Sequence, residues 1–380
     1  MFHKEAEMKR LVMALVLAAL SLAARAGDVD AAAVDAAAKK AADYLLKQQN
    51  ENGTFGKGQG ASVPGQVGLI VKALASSPDK YRENNPGIAK AVKFLLSKQM
   101  PNGAISIPEM PLDNYNTSVV AVALVALENP AHKEVLEKAK KFVLSCQWLE
   151  EQGYNAKEHP RAYGGIGYGN SRRPDLSNTA FSLEALKALG LEENSPAWKN
   201  AVIFIKRCQD NEETNDSVDM KGGDNTGGFV YLPGDSEQGK IKTRSGKELP
   251  KPYGNMTYQA VKSLVFAGMK KDDPVLQAAF KWIRNNYSVK EQPGALGGQG
   301  YFYYVLAFAK AFTAAGVTEL ELADGRKVHC AKDLAAQLLS IQEADGSFVN
   351  KADRWWESDP VLTTAYALDA LNLCGAAMRK

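Results

Sequence analysis

Cysteine and histidine are scarce, with four of each in 380 residues. No C-x-x-C occurs, and His3, His132, His159 and His329 are not set at metal-ligand intervals, so no metal and no cofactor is implied. Four thiols in a chain this long also exclude a small disulfide scaffold and leave stability to a hydrophobic core. The net charge is only +3, so no domain-wide basic field exists to recruit nucleic acid. The Gly runs at 164–169, 222–228 and 297–300 lack the lysine and the strand-turn-helix context of a phosphate loop; they fit close approach between loops and helix ends. After the N-terminal segment no apolar run reads as a membrane span.

What remains is an ordinary globular composition, 45% hydrophobic and 23% charged. Residues 1–26 read as a signal peptide: Lys4, Lys9 and Arg10, a short apolar stretch from Leu11 to Ala23, then Ala24-Arg25-Ala26 as a cleavage site. An uncleaved anchor is the alternative. The mature chain, residues 27–380, is then expected to be a single secreted or periplasmic domain. Cys146 and Cys208 hold equivalent places in FVLSCQ and FIKRCQ, and Cys330 and Cys374 are the better placed pair for a bond. Buried thiols are the reading adopted for all four.

Internal repetition sets the architecture. An amphipathic helix ending in Gln, followed by a turn, Gly and an apolar residue, recurs at Tyr44–Phe55, Phe94–Ile105, Phe142–Gln147, Phe204–Gln209 and Leu338–Phe348, with a degenerate copy at Trp282–Tyr287. Glutamine can tie loop backbone through donor and acceptor together, and glycine permits positive φ after the helix. Each copy precedes a more uniformly apolar helix: Val63–Ala75, Asn116–Leu127, Asn178–Leu189, Met256–Ala267, Tyr301–Ala314 and Thr363–Leu373. Apolar coverage on several faces predicts burial on both sides. Six polar-backed and six buried helices predict an all-α, (α/α)6 toroid whose cavity opens at the N-terminal ends of the inner helices. An open solenoid would need polar caps at both ends. The polar segment 211–251 reads as a rim or lid insertion, and Thr318–Val328 as a β-hairpin turning at Asp324-Gly325.

These repeats resemble the terpenoid cyclase/protein prenyltransferase superfamily over about Ala31 to Leu373, with Gln49–Phe55 and Gln342–Phe348 similar to its repeat motif in shortened form. DLSNTAFSLEAL, YGNMTYQAVKSLVFAG and RWWESDPVLTTAYALDAL resemble a group of exported bacterial proteins with squalene–hopene cyclase-like repeats. The resemblance implies the toroid and a small-molecule ligand. The cyclases' acid motif D-x-D-D-T-A aligns with Asp175-Leu176-Ser177-Asn178-Thr179-Ala180, so Ser177 stands where the family carries its proton donor. A hydroxyl cannot protonate an alkene. The prenyltransferases' zinc histidine aligns with Thr363, and their Asp-x-Cys is missing around Gly300–Tyr304, so no zinc is implied.

Several constellations each admit two readings. Asp113-x-x-Asn116-Thr117 and Asp175-x-x-Asn178-Thr179 either place two carboxylates at the cavity mouth, for acid/base work or cation binding, or cap two helices. Of the two, Asp175 is the candidate catalytic residue and Asn178 a candidate ligand contact. Tyr253, Asn255, Tyr258, Tyr303 and Tyr304 either line a cavity or pack between rings. Trp355, Trp356, Glu357 and Asp359 form either a ligand rim or a loop network around buried tryptophan, and Arg172 and Arg173 either meet an anion or pair with carboxylates. The favoured expectation is a binder of a small molecule, isoprenoid or glycan, that lacks the cyclase acid. Rival readings are an isoprenoid-modifying enzyme using Asp175, a polysaccharide-acting toroid, and a module docking a protein partner. Whether the chain turns over a substrate stays open at this stage.

Overall fold

The computed structural model describes residues 29–169 and 173–380. Residues 1–26, expected from the sequence to be a signal peptide, and Arg172 lie outside the described residues. Among the described residues twelve α-helices follow one another in outer–inner pairs. The outer ones are α1 (Ala31–Lys47), α3 (Pro86–Leu96), α5 (Lys133–Ser145), α7 (Pro196–Arg207), α9 (Pro274–Asn285) and α11 (Cys330–Ile341). The inner ones are α2 (Pro64–Ser76), α4 (Asp113–Ala126), α6 (Leu176–Ala188), α8 (Gly254–Phe266), α10 (Tyr301–Ala315) and α12 (Pro360–Met378).

Helix starts follow local chemistry. Asn85, Ser195, Asp273 and Asp359 each cap a first turn with a side-chain oxygen and are each followed by proline at the first helical position. There its missing N–H costs nothing. Each inner helix packs on the next, and α12 packs on α2, so the ring is closed. The seam is pinned by Asn372 Nδ2 donating to Ala73 O at 2.8 Å and by α1 lying along α12.

The repeated Gln-to-Gly motif is the fastener between pairs. Gln49, Gln99, Gln147 and Gln209 each donate Nε2 to a carbonyl in the first turn of the next outer helix: Gly87, Val135, Ala197 and Val275, at 2.8–3.0 Å. Gln342 reaches across the seam to the second turn of α1, donating to Ala37 O at 2.9 Å. The glycines of these motifs have φ between +83° and +93°, and a β-carbon on any of them would overlap a carbonyl of that next helix. Only glycine satisfies both demands. The apolar residue that follows donates its N–H to a threonine at an inner-helix start: Ile105 to Thr117, Ile166 to Thr179, Phe229 to Thr257 and Phe348 to Thr364. The threonines of the two Asp-x-x-Asn-Thr motifs are thus joints of the repeat.

The predicted hairpin is present as β3 (Glu319–Glu321) paired with β4 (Lys327–His329). An unforeseen one, β1 (Lys240–Lys242) with β2 (Glu248–Pro250), sits inside the insertion. A second correction concerns α12. At 19 residues it is long and apolar enough to cross a membrane by length and composition, yet 72% of that stretch is buried as inner-ring wall. All four cysteines are free, buried thiols. Cys330 and Cys374 line one cavity of about 280 Å³ beside the C-terminal ends of α10 and α12.

Candidate functional site

The N-terminal ends of the inner helices surround a chamber of about 440 Å³, within the ~300–1,000 Å³ usual for small-molecule sites. One wall is an aromatic stack. Phe181 lies parallel to Tyr303 with ring centres 5.7 Å apart, meets Tyr115 edge-on at 5.0 Å, and Tyr303 leans on Tyr366 at 6.0 Å. Tyr168, Tyr231 and Tyr253 extend the lining, with Leu112, Met256 and Leu362 filling between them. Burial raises the Tyr115 phenol to about 12 and pushes Tyr303 further in the same direction, so both stay neutral donors.

Of the residues singled out from sequence, Asn178, Tyr253, Asn255, Tyr303, Trp355 and Trp356 line this chamber. The others do not. Asp113 is the first residue of α4; its carbonyl accepts from Thr117 Oγ1 at 2.6 Å, while Leu112 occupies the cap position. Tyr258 and Tyr304 are fully buried in the wall, packed edge-on at 5.4 Å, with Tyr304 Oη donating to Ser288 O. Glu357 caps α10 from a neighbouring loop, accepting from Tyr303 N at 2.8 Å and Phe302 N at 3.2 Å. Asp359 caps α12 and accepts from Gln66 Nε2 at 3.0 Å. Arg173 lies 3.8 Å from Asp235 on the surface.

Asp175 sits behind the lining. One carboxylate oxygen accepts the Asn178 backbone N–H and the other accepts Asn178 Nδ2, both at 2.7 Å. Burial raises its carboxyl to about 6, and hydrogen bonds from Asn178 and Tyr231 only partly oppose that. Ser177 does face the chamber, at 2.8 Å from Tyr303 Oη, and Gln259 Nε2 donates to the same phenol at 3.0 Å. The position of the familial acid therefore holds a hydroxyl tied to a phenol.

The mouth is built by the insertion and the Arg354–Asp359 loop. Arg354 stacks 4.3 Å over Trp355, pairs with Glu237, and donates to Glu237 O at 3.1 Å and Gln299 Oε1 at 2.9 Å. The tryptophans are not buried as the structural alternative required. Trp355 and Trp356 are 44% and 41% exposed, and both have positive φ, +59° and +63°. Consecutive bulky residues in the left-handed region are strained, and such strain gathers at binding sites.

Sequence reasoning missed the floor. Lys72 of α2, Glu184 of α6, Lys262 of α8, Lys310 of α10 and Asp369 of α12 meet at one level inside the ring. Glu184 accepts from Lys262 at 2.7 Å and Lys310 at 2.6 Å; Asp369 pairs with Lys72 and lies 3.8 Å from Lys310. The two lysines hold the Glu184 carboxyl far below its usual range despite its burial. Phe181 separates this level from the chamber, with Lys262 Nζ 5.9 Å from its ring centre. Tyr231 and Glu237 were missed too, because they reach the lining from the insertion.

The prenyltransferase alpha-alpha toroid domain profile matches residues 1–171 and 170–302. No curated protein matches the sequence. Similar solved structures include type II terpene cyclase MstE from Scytonema, 13% identical with a TM-score of 0.55 over 92% of this chain and 100% of that one. A variant of MstE in complex with the substrate geranylgeranyl dihydroxybenzoate is 14% identical, TM-score 0.54, over 91% and 98%. An alpha-1,6-mannanase from Salegentibacter sp. is 10% identical, TM-score 0.57, over 91% and 99%. Identities this low speak for fold alone. The matched profile covers more than half the chain, and its helical pairs close into the ring the profile describes: the chain belongs to the prenyltransferase alpha-alpha toroid domain family.

Proposed function

We propose that the protein binds an apolar, isoprenoid-like small molecule in the central chamber and does not cyclise it by the familial protonation. The observation that carries this is the lining: aromatic and aliphatic, with Glu237 its one carboxylate among the described residues and Ser177 at the acid position. Protonating an alkene needs a strong acid that still holds its proton. Asp175 has moved the other way, to a weaker acid, and does not line the chamber. Glu184 is strong only because two lysines keep it ionised, so it has no proton to give. Glycosidic cleavage of the kind the mannanase neighbour's name describes ordinarily takes two carboxyl groups across the bond, and one lines this chamber. The chain's N-terminal segment extends the proposal to an exported protein.

Titration with geranylgeraniol, read by tryptophan fluorescence from the mouth, tests this. Saturable binding in wild type and its loss in Tyr303→Ala and Met256→Trp, with no response to alpha-1,6-mannotriose, is the expected result. Saturation by the sugar, or indifference of both variants, would sink it.

A further inference from the structure

Three amide side chains line the chamber from three inner helices: Gln66 on α2, Asn178 on α6 and Asn255 on α8. They are 3%, 1% and 2% exposed. Each has its NH2 engaged: Gln66 with Asp359 Oδ2 at 3.0 Å, Asn178 with Asp175 Oδ2 at 2.7 Å, and Asn255 with Gly300 O at 3.2 Å. A carboxylate or a backbone carbonyl only accepts, so these partners fix which way each amide is turned. The opposite ends, Gln66 Oε1, Asn178 Oδ1 and Asn255 Oδ1, are buried with no donor among the described residues. A buried acceptor left unpaired costs free energy, and three around one chamber call for a donor from outside the chain.

Charge narrows the donor. No Lys, Arg or His is among the described residues that line the chamber. Arg354, at the mouth, is committed to Glu237 and Gln299. Among the described residues an anionic headgroup therefore meets no free cation. Glu237 is held by that same guanidinium, so an ammonium meets no free counter-ion.

Resting on the proposed function, we infer that the ligand is a neutral, hydroxyl-bearing isoprenoid-like molecule whose hydroxyl donates to these amide oxygens. It is not a bare hydrocarbon, a carboxylate or a diphosphate.

Four C20 probes that share one chain and differ at the head test this against the full chain: geranylgeraniol, the corresponding hydrocarbon, geranylgeranoic acid and geranylgeranylamine. The alcohol should bind about tenfold more tightly than each of the other three. In Gln66→Met and Asn255→Leu the alcohol-to-hydrocarbon ratio should fall toward one. Because the readout is a ratio within one protein, a general loss of folded material does not move it. Equal binding of alcohol and hydrocarbon, tightest binding of the acid or amine, or an unchanged ratio in both variants would overturn this inference and leave the apolar-chamber reading standing. Failure of every C20 probe to bind would overturn that reading, and this inference with it.

Discussion

Exchanging Glu184 for glutamine and Lys262 for methionine should have unequal consequences, although the two share one ion pair of 2.7 Å. In Glu184→Gln, two buried ammonium groups lose their common carboxylate, and only Lys310 keeps another, Asp369 at 3.8 Å. Removing one partner of a buried pair costs about 3–5 kcal/mol. In Lys262→Met the carboxylate keeps Lys310 at 2.6 Å. Burial outweighs the attraction of Glu184 on Lys262 and lowers its ammonium from 10.5 to about 8, which corresponds to about 3 kcal/mol lost on burying it charged. An apolar chain of similar length avoids that loss, so Lys262→Met should lie within about 1 kcal/mol of wild type or above it at neutral pH. The sign of the pH dependence follows. Between pH 8 and 10.5 the unfolded chain binds the Lys262 proton more tightly than the folded one, so wild-type stability from this group rises with pH across that window. The methionine variant lacks that rise. Lys310, raised because Glu184 and Asp369 outweigh its burial, should behave oppositely, and Lys310→Met should destabilise. Urea unfolding followed by far-UV circular dichroism at about pH 7 and about pH 10 reads all of this. If Lys262→Met loses as much as Glu184→Gln, the charge balance assigned to the floor is wrong.

Asp175 gives a second pH signature. Its carboxyl is raised from 3.8 to about 6, so its stabilisation is complete below the lower value and is lost as pH rises through the upper, about 3 kcal/mol in all; Asp175→Asn should show no such decline in urea unfolding between about pH 4 and about pH 7.5. Gly164 and Gly153 have similar φ, +84° and +86°, but only Gly164 faces a carbonyl, that of Asn200. Gly164→Ala should therefore lower stability by about 2 kcal/mol or more beyond Gly153→Ala, measured as the difference between two melting curves. Thr257→Val removes the acceptor of the Phe229 N–H at 3.1 Å and should cost about 1–3 kcal/mol by the same assay, whereas a neutral result would deny Thr257 its joint role. Arg354→Ala releases Glu237 and the Trp355 stack; amide exchange should quicken in residues 233–239 and 350–359 and stay unchanged in the inner helices.

The ring was legible because its determinants are local and repeated. A Gln that must reach the next helix, and a Gly that must let that helix approach, recur in five of the pairs, four residues apart at Gln49, Gln99 and Gln342 and separated by longer loops after Gln147 and Gln209, so stacking the copies exposes the architecture. The chamber was half legible because helix starts can be read but helix phase cannot. Tyr303 and Tyr304 are neighbours, rotated by ~100° about the axis; one faces the chamber and the other is sealed in the wall. Tyr253 and Tyr258 divide in the same way. Tyr231 and Glu237 were beyond reach, because an insertion's path over the mouth is set by tertiary contacts such as Leu176 N donating to Tyr231 O at 2.8 Å.

The floor left a signal that was open to reading: a charged residue midway along each of five buried inner helices, in VKALA, SLEAL, AVKSL, FAKAF and ALDAL. A lone charge of this kind is usually a solvated face. Five of them at matching depth in helices already expected to be buried on both sides cannot all find water, and burial of unpaired charge is too costly to repeat. They must therefore meet one another, which a closed ring allows and an open arc does not, since Lys72 of the first pair finds its carboxylate, Asp369, in the last. Read this way, the charges alone argue for closure, independently of the Gln–Gly fasteners. They also explain why the chamber ends where it does. Below Phe181 the axis is filled with ion pairs that an apolar ligand cannot displace, so the volume left for it lies on the N-terminal side, under the two strained tryptophans.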